Sequence, residues 1–254
     1  MSEGLQSDVI VIGAGIAGLS AAVALAQAGA EVTLLERRPY IGGRAYSYEH
    51  PALEETIDSQ HVVLGCCTNI LDLCRQAGMA DNIRWYDELV FLEPGGRRSL
   101  LRTGSLPAPA HQAMSFLRAP MLSLQDKAGI AAGMARFLRD FPQDDNESFA
   151  AWLKRTGQTE RAIRRFWEPV VVGALNDVFE RCSVKYAGKI FHESFLRSPE
   201  AVRLGIPAAP LSEFFTPVAE LAQTLGVKLK TKTGVEQIEQ TADGRWSVRA
   251  AGEV

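Results

Sequence analysis

Gly13, Gly15 and Gly18 stand in the run Gly-Ala-Gly-Ile-Ala-Gly, between a four-residue apolar stretch, Val9 to Ile12, and an Ala-rich stretch, Ala17 to Ala28. In that context the spacing is that of a diphosphate cradle. Gly13 permits a tight turn off a strand, Gly15 lets the backbone approach the phosphates, and Gly18 lets a helix pack closely on the strand. The free backbone N–H groups and the positive end of the helix then face the phosphates, with Ala14, Ile16 and Ala17 as the other cofactor-binding residues of the loop. Gly29 is placed to end that helix, and Glu31 to Leu35 is the next strand. Ala22, Leu25 and Val32 supply its apolar packing. Glu36 closes the second strand, near the roughly 20-residue offset of a ribose-binding acid. Its carboxylate accepts hydrogen bonds from ribose hydroxyls and repels a 2′-phosphate, which disfavours NADP. Strand, glycine turn, helix and strand in about 30 residues make a βαβ unit with a right-handed crossover.

Arg37 and Arg38 follow, and then Gly42-Gly43-Arg44. A second glycine pair admits another backbone segment to the cofactor, and Arg44 can neutralise diphosphate charge. The alternative for these residues is a loop with a solvent-facing arginine. The set favours FAD over NAD as the cofactor.

The elements around this core form a sheet, a helical insertion and a return to the sheet. Leu89 to Glu93 and Ser99 to Arg102 flank Pro94-Gly95-Gly96 as a hairpin. Apolar residues at 3–4 spacing predict helices within 109–198, among them Gln125 to Arg139, Ser148 to Arg155 and Ala162 to Trp167. One helix, Leu211 to Leu225, precedes strands Val227 to Thr231, Val235 to Gln240 and Trp246 to Ala250. The expected fold is α/β: a Rossmann-like FAD-binding sheet with a mainly helical substrate-domain insertion. The FAD-binding domain takes residues 1–85 and 206–254, and the substrate domain takes 86–205.

Composition is that of a soluble globular protein: 254 residues, 46% apolar, 22% charged and net charge −3. Without a basic excess a nucleic-acid partner is not expected. No stretch approaches the roughly 20 apolar residues of a membrane span, and the acidic start of the chain does not read as a signal peptide. Cys66, Cys67, Cys74 and Cys182 form no CxxC pair and have no His-x3-5-His companion, so no metal site is expected. All four read as reduced, mostly buried small apolar residues, with the cytoplasm as the compartment. Met114, Phe116, Leu117, Met121 and Leu122 either line an apolar tunnel or belong to ordinary core. Arg161, Arg164 and Arg165 form a solvated basic face, or lean on anionic lipid at the inner membrane.

The run Glu36-Arg37-Arg38 with Gly42-Gly43-Arg44 resembles the FAD-dependent amine oxidase and phytoene desaturase superfamily. Five further segments resemble the squalene-associated desaturases, or hydroxysqualene dehydroxylases, of hopanoid pathways. These are Ile57-Asp58-Ser59-Gln60-His61-Val62-Val63-Leu64-Gly65-Cys66, Leu106-Pro107-Ala108-Pro109, Phe166-Trp167-Glu168-Pro169, Ala174-Leu175-Asn176, and Pro207 with Pro210-Leu211-Ser212-Glu213. One departure is Ser59, where the pattern often has glycine. The resemblance implies reduction of hydroxysqualene to squalene, with hydride from reduced flavin replacing an allylic hydroxyl. The partner is then an apolar isoprenoid, and the electron donor is not specified. On this resemblance His61 is the candidate proton donor with Asp58 beside it, or the two brace the loop beside the flavin. Val235 matches a residue whose backbone meets the adenine. The resembling proteins continue past Val254, so an N-terminal portion of such an enzyme is expected. A related polyene desaturase or amine oxidase, and an inactive FAD-binding fragment, are the alternatives.

Overall fold

A computed structural model describes residues 6–59 and 61–251, so Gln60 and Val254 lie outside the described residues. The chain divides into two compact units. One comprises Met1–Val62, Thr68–Arg84 and Ile206–Val254; the other comprises Val63–Cys67 and Trp85–Gly205.

The first unit opens with β1 (Val9–Ile12), α1 (Ile16–Gln27) and β2 (Val32–Leu35). β1 and β2 pair in parallel, Val9 opposite Val32 through to Ile12 opposite Leu35. Every residue of β2 is buried, because it carries a strand on either side and α1 on a face. That explains a strand that reads as a continuous apolar run and not as an alternation. Leu19, Ala22 and Val23 are the buried face of α1. β3 (Ser47–His50) and β4 (Glu55–Asp58) form an antiparallel hairpin that pattern reasoning did not find. Their residues, Ser-Tyr-Glu-His and Glu-Thr-Ile-Asp, are mostly polar, so no apolar alternation marks them.

The chain continues through β5 (Val63–Leu64), α2 (Thr68–Gln76), β6 (Ile83–Tyr86), β7 (Glu88–Leu92) and β8 (Arg98–Arg102). β7 and β8 are the expected hairpin, with Val90 opposite Leu100. Their inward residues, Leu89, Phe91 and Leu101, meet a helical core, while Val90, Leu92 and Leu100 are exposed. That core is built by α3 (Ala113–Arg118), α4 (Leu124–Arg139), α5 (Phe149–Arg155), α6 (Glu160–Ala162), α7 (Glu168–Leu175) and α8 (Val184–Ile190). α6 and α8 each run into a π-helical turn, Ile163–Trp167 and Phe191–Phe195. Trp167 is fully buried among Phe137, Phe149, Trp152 and Phe191. Its indole N–H donates to Gln158 Oε1 at 2.8 Å, and the Gln158 amide donates to Gly129 O at 2.8 Å. The one polar atom of the ring is therefore satisfied, as burial requires. Helix α4 starts on a capping box, Ser123 with Asp126.

The chain then forms β9 (Leu204–Pro207), antiparallel to β5, followed by α9 (Leu211–Phe214) and α10 (Thr216–Thr224). The expected single helix over Leu211–Leu225 is broken at Phe215. Pro217 lacks a backbone N–H and suits the first turn of a new helix, so α10 starts there afresh. β10 (Lys228–Lys230) joins the other edge of β2 in parallel, giving the order β1-β2-β10. β11 (Gly234–Gln240) and β12 (Trp246–Ala251) form a separate antiparallel ribbon, with a bulge between Val235 and Gln237.

Cys74 and Cys182 are buried, but Cys66 is half-buried and Cys67 is exposed. The expectation of mostly buried cysteines holds for half of them. The apolar set divides likewise. Met121 and Leu122 are core, Phe116 packs against it, and Met114 and Leu117 are exposed.

Candidate dinucleotide-binding site

Gly13 leaves β1 with a φ of +97°, a left-handed conformation open to glycine, and its N–H donates to Leu35 O at 2.7 Å. Gly15 is the extended N-cap of α1 and has no side chain to cap it. The first-turn N–H groups, those of Ile16, Ala17 and Gly18, have no intrahelical acceptor and remain for a ligand. A Cβ at Gly18 would lie 1.9 Å from Gly13 O, so helix and turn touch through backbone alone.

A second segment closes on this loop. Gly42 N–H donates to Ala14 O at 2.9 Å, and Gly15 and Gly42 form an isolated parallel bridge. Gly42 and Gly43 have φ of +98° and +65°, and a Cβ on Gly43 would stand 3.1 Å from Gly15 Cα. Any side chain there would part the two glycine segments. Arg44 follows, exposed and without an ion-pair partner among the described residues. Its carbonyl lies 2.8 Å from the Ser59 hydroxyl, which also accepts from Tyr46 N–H at 3.2 Å. Ser59, the departure noted in the sequence, thus ties the loop before His61 to the segment carrying Arg44.

Glu36 is only 7% exposed and organises the other end of the site. Its Oε2 accepts Ala14 N–H at 2.8 Å, and its Oε1 accepts Arg38 N–H at 2.8 Å. Each oxygen keeps a lone pair for a ribose hydroxyl. Thr233 N–H donates to Glu36 O at 2.8 Å and Lys232 N–H to Arg38 O at 3.1 Å. The Cβ position of Gly234 is 3.6 Å from Arg37 Cβ. These bonds bring Val235, at the start of β11, beside the Glu36–Arg38 segment. Gly13, Ala14, Gly15, Ile16, Ala17, Gly18, Glu36, Arg37, Gly43, Arg44 and Val235 therefore fall into one neighbourhood. A backbone anion cradle, an acceptor carboxylate and an unpaired arginine fit an adenine dinucleotide such as FAD.

Asp58 and His61 are differently employed. Ser47 Oγ donates to Asp58 Oδ1, and the same oxygen accepts Leu211 N–H at 3.2 Å; Ser212 N–H reaches Ser47 Oγ at 3.3 Å. Asp58 thus pins the β3–β4 hairpin to the start of α9, and no hydrogen bond joins it to His61. Sequence reasoning missed this node, since Ser47 carries no motif. His61 is exposed, with Nδ1 3.0 Å from Ser59 O. In the neutral ring that carbonyl holds the proton on Nδ1 and leaves Nε2 free.

The basic cluster is neutralised locally. Arg164 pairs with Glu160 at 2.5 Å, Arg165 with Glu93 at 2.7 Å, and Arg161 lies 3.8 Å from Asp126. Each arginine of the cluster thus has an acidic neighbour while its side chain stays at least partly exposed, as on a solvated face. Among the described residues no helix is long and apolar enough to cross a membrane.

Residues 16–254 match the family described as flavin containing amine oxidoreductase. The zeta-carotene desaturase of Synechocystis sp. is 29% identical over 94% of this chain and 52% of its own length. The chloroplastic/chromoplastic zeta-carotene desaturase of Zea mays is 33% identical over 66% of this chain and 32% of its own length. The chain thus spans about half the length, or less, of these curated relatives. A structure of wild-type putrescine oxidase bound to putrescine superposes with a TM-score of 0.67 at 19% identity, covering 98% of this chain and 56% of that one.

Proposed function

Because the chain belongs to the flavin containing amine oxidoreductase family, we propose that it serves an FAD-dependent oxidoreductase that converts hydroxysqualene to squalene. The observation that carries the cofactor is the double glycine contact, Gly15 against Gly43, with Glu36 bonded to Ala14. The substrate rests on the segments around Asp58–Cys66, Phe166–Asn176 and Pro207–Glu213, whose pattern resembles the hydroxysqualene dehydroxylases. When bound and reduced, FAD supplies the hydride. The chain's residues do the rest. The free N–H groups of α1 and Arg44 balance the diphosphate charge. Glu36 fixes the ribose and so sets the cofactor's register. The proton that lets the hydroxyl leave as water comes from protonated His61 through Nε2, since Nδ1 is held by Ser59. Asp58 acts as a brace for this loop. The outward face of β7–β8, with Val90, Leu92 and Leu100, offers a bilayer contact from which an oily substrate could be drawn.

The names of the relatives favour a second reading, desaturation of a polyene, in which electrons run from substrate to oxidised flavin. One experiment separates the two. The protein is loaded with FAD and photoreduced without oxygen, then given hydroxysqualene. Squalene formed in proportion to flavin reoxidised supports the first reading. Its absence, together with a lengthened chromophore when oxidised protein meets zeta-carotene and a quinone, overturns it.

A further inference from the structure

Cys66 and Cys67 sit at a tight turn after β5. Cys67 N–H donates to Leu64 O at 2.9 Å, and Cys66 N–H donates to Ala201 O at 3.0 Å. The backbone on both sides is therefore fixed, and it carries the two thiols on adjacent residues of one turn. Cys67 is exposed and Cys66 half-buried, whereas Cys74 and Cys182 are buried. The dinucleotide site has no use for either thiol.

We propose that Cys66 and Cys67 form an oxidation-sensitive vicinal dithiol, a modification site at which a peroxide converts Cys67 to a sulfenic acid and Cys66 closes a disulfide. The acidity of the pair agrees with these roles. The neighbouring Cys66 thiol, helped by the backbone at Leu64 and opposed by burial, lowers the Cys67 thiol to about 6. Cys66 is pushed up by the Cys67 thiol beside it, by burial and by Glu193. The exposed sulfur is also the more acidic one, which makes Cys67 the nucleophile and the half-buried Cys66 the resolving thiol.

The steps balance. The Cys67 thiolate attacks one peroxide oxygen, the O–O bond breaks and hydroxide leaves, giving Cys67–SOH. The Cys66 sulfur then attacks the Cys67 sulfur, the S–O bond breaks, and the Cys66 proton leaves with the hydroxyl as water. Two thiols and one hydrogen peroxide become one disulfide and two waters, each sulfur losing one electron. A bridge between neighbouring residues is strained and therefore easily reduced. The same strain twists the peptide whose N–H bonds Leu64 O, so oxidation loosens the turn, and a thiol reductant restores it. Burial pushes the Cys74 and Cys182 thiols up, which keeps them out of this chemistry.

The test treats the purified protein with one equivalent of hydrogen peroxide, blocks thiols with N-ethylmaleimide, and maps peptides by mass spectrometry. Before oxidation, Cys67 should be alkylated at least roughly tenfold faster than Cys74 or Cys182 at neutral pH. After oxidation, the peptide holding both residues should lack the mass of two hydrogens and take no label, and dithiothreitol should reverse both changes. Cys66→Ser should stop at a sulfenic acid trapped by dimedone. Wild-type protein whose Cys66 and Cys67 both remain alkylatable, or that accumulates sulfinic acid at Cys67 without the link, overturns the proposal.

Discussion

Replacing Glu36 by Gln removes one charge and one acceptor while keeping the shape, so its cost can be worked from two hydrogen bonds. In the wild type each carboxylate oxygen takes one main-chain N–H, that of Ala14 and that of Arg38. A glutamine has one oxygen, so one N–H must face an NH2 group. Ala14 is fully buried and Arg38 is exposed, so the amide oxygen stays with Ala14 and water reaches Arg38. A buried N–H left alone costs about 1–3 kcal/mol, and this arrangement places the loss near the lower end, about 1 kcal/mol. The bond that remains loses its charge assistance, which is roughly half its strength. The expected loss of apo-protein stability is therefore about 1–2 kcal/mol. FAD affinity should fall further, by about tenfold or more, because one ribose hydroxyl loses its acceptor and each 1.4 kcal/mol is a factor of ten. Urea unfolding of the apo protein and an FAD titration followed in the visible band measure the two effects separately. An unchanged urea midpoint in the apo form would refute the bracing argument, and unchanged affinity would refute the ribose assignment.

Gly18→Ala should lower FAD affinity at least about tenfold and not stabilise α1, because the 1.9 Å approach to Gly13 O outweighs a helix-propensity gain of about 1 kcal/mol. Gly173→Ala in α7 is the control: nothing lies within 4 Å of its Cβ position, so thermal melting should show a gain of roughly 0.5–1 kcal/mol. Gly188→Ala should destabilise by about 1–3 kcal/mol in urea, since its Cβ would stand 2.8 Å from Phe137 Cε1. His111 is buried with both ring nitrogens unpartnered among the described residues, and burial, opposed by Glu200, pulls its pKa below the ordinary value. The unfolded chain then takes up the proton first, so stability should fall as pH drops below about 6.5. His111→Leu should flatten that limb of the urea-midpoint profile. Leu92→Glu should weaken flotation with neutral liposomes and leave FAD binding unchanged.

How much of this was legible depended on whether a residue acts alone or through its neighbours. The βαβ core was legible because each part carries its own sign: an apolar strand, glycines at fixed spacing, an Ala-rich helix and an acid at the end of β2. The β7–β8 hairpin was legible through Pro94-Gly95-Gly96 and its alternation. The β3–β4 hairpin was not, because polar residues on an open ribbon leave no period to read. The break at Phe215 was missed although Pro217 announced it, since the apolar spacing runs straight through 211–225. Gly42 and Gly43 were read as an approach to the cofactor. In the structure they first approach Gly15, and the sequence has no way to say which backbone comes near which.

The same limit decides what can be asked of Asp58 and His61. Two ionisable residues three apart suggest a couple, an acid orienting a base. The geometry separates them, because Asp58 spends Oδ1 on Ser47 and Leu211, and His61 is oriented by a carbonyl at Ser59. These arrangements have different kinetic signatures. If Asp58 set the basicity of His61, Asp58→Asn would shift the pH profile of turnover and leave the fold alone. As a brace, Asp58→Asn should cost about 1 kcal/mol of stability in urea, because the amide oxygen can still accept both bonds but without charge assistance. The profile's midpoint should then stay where it is, while His61→Ala should lower turnover itself and leave the urea midpoint unchanged. A shifted profile at unchanged stability would restore the couple and refute the brace.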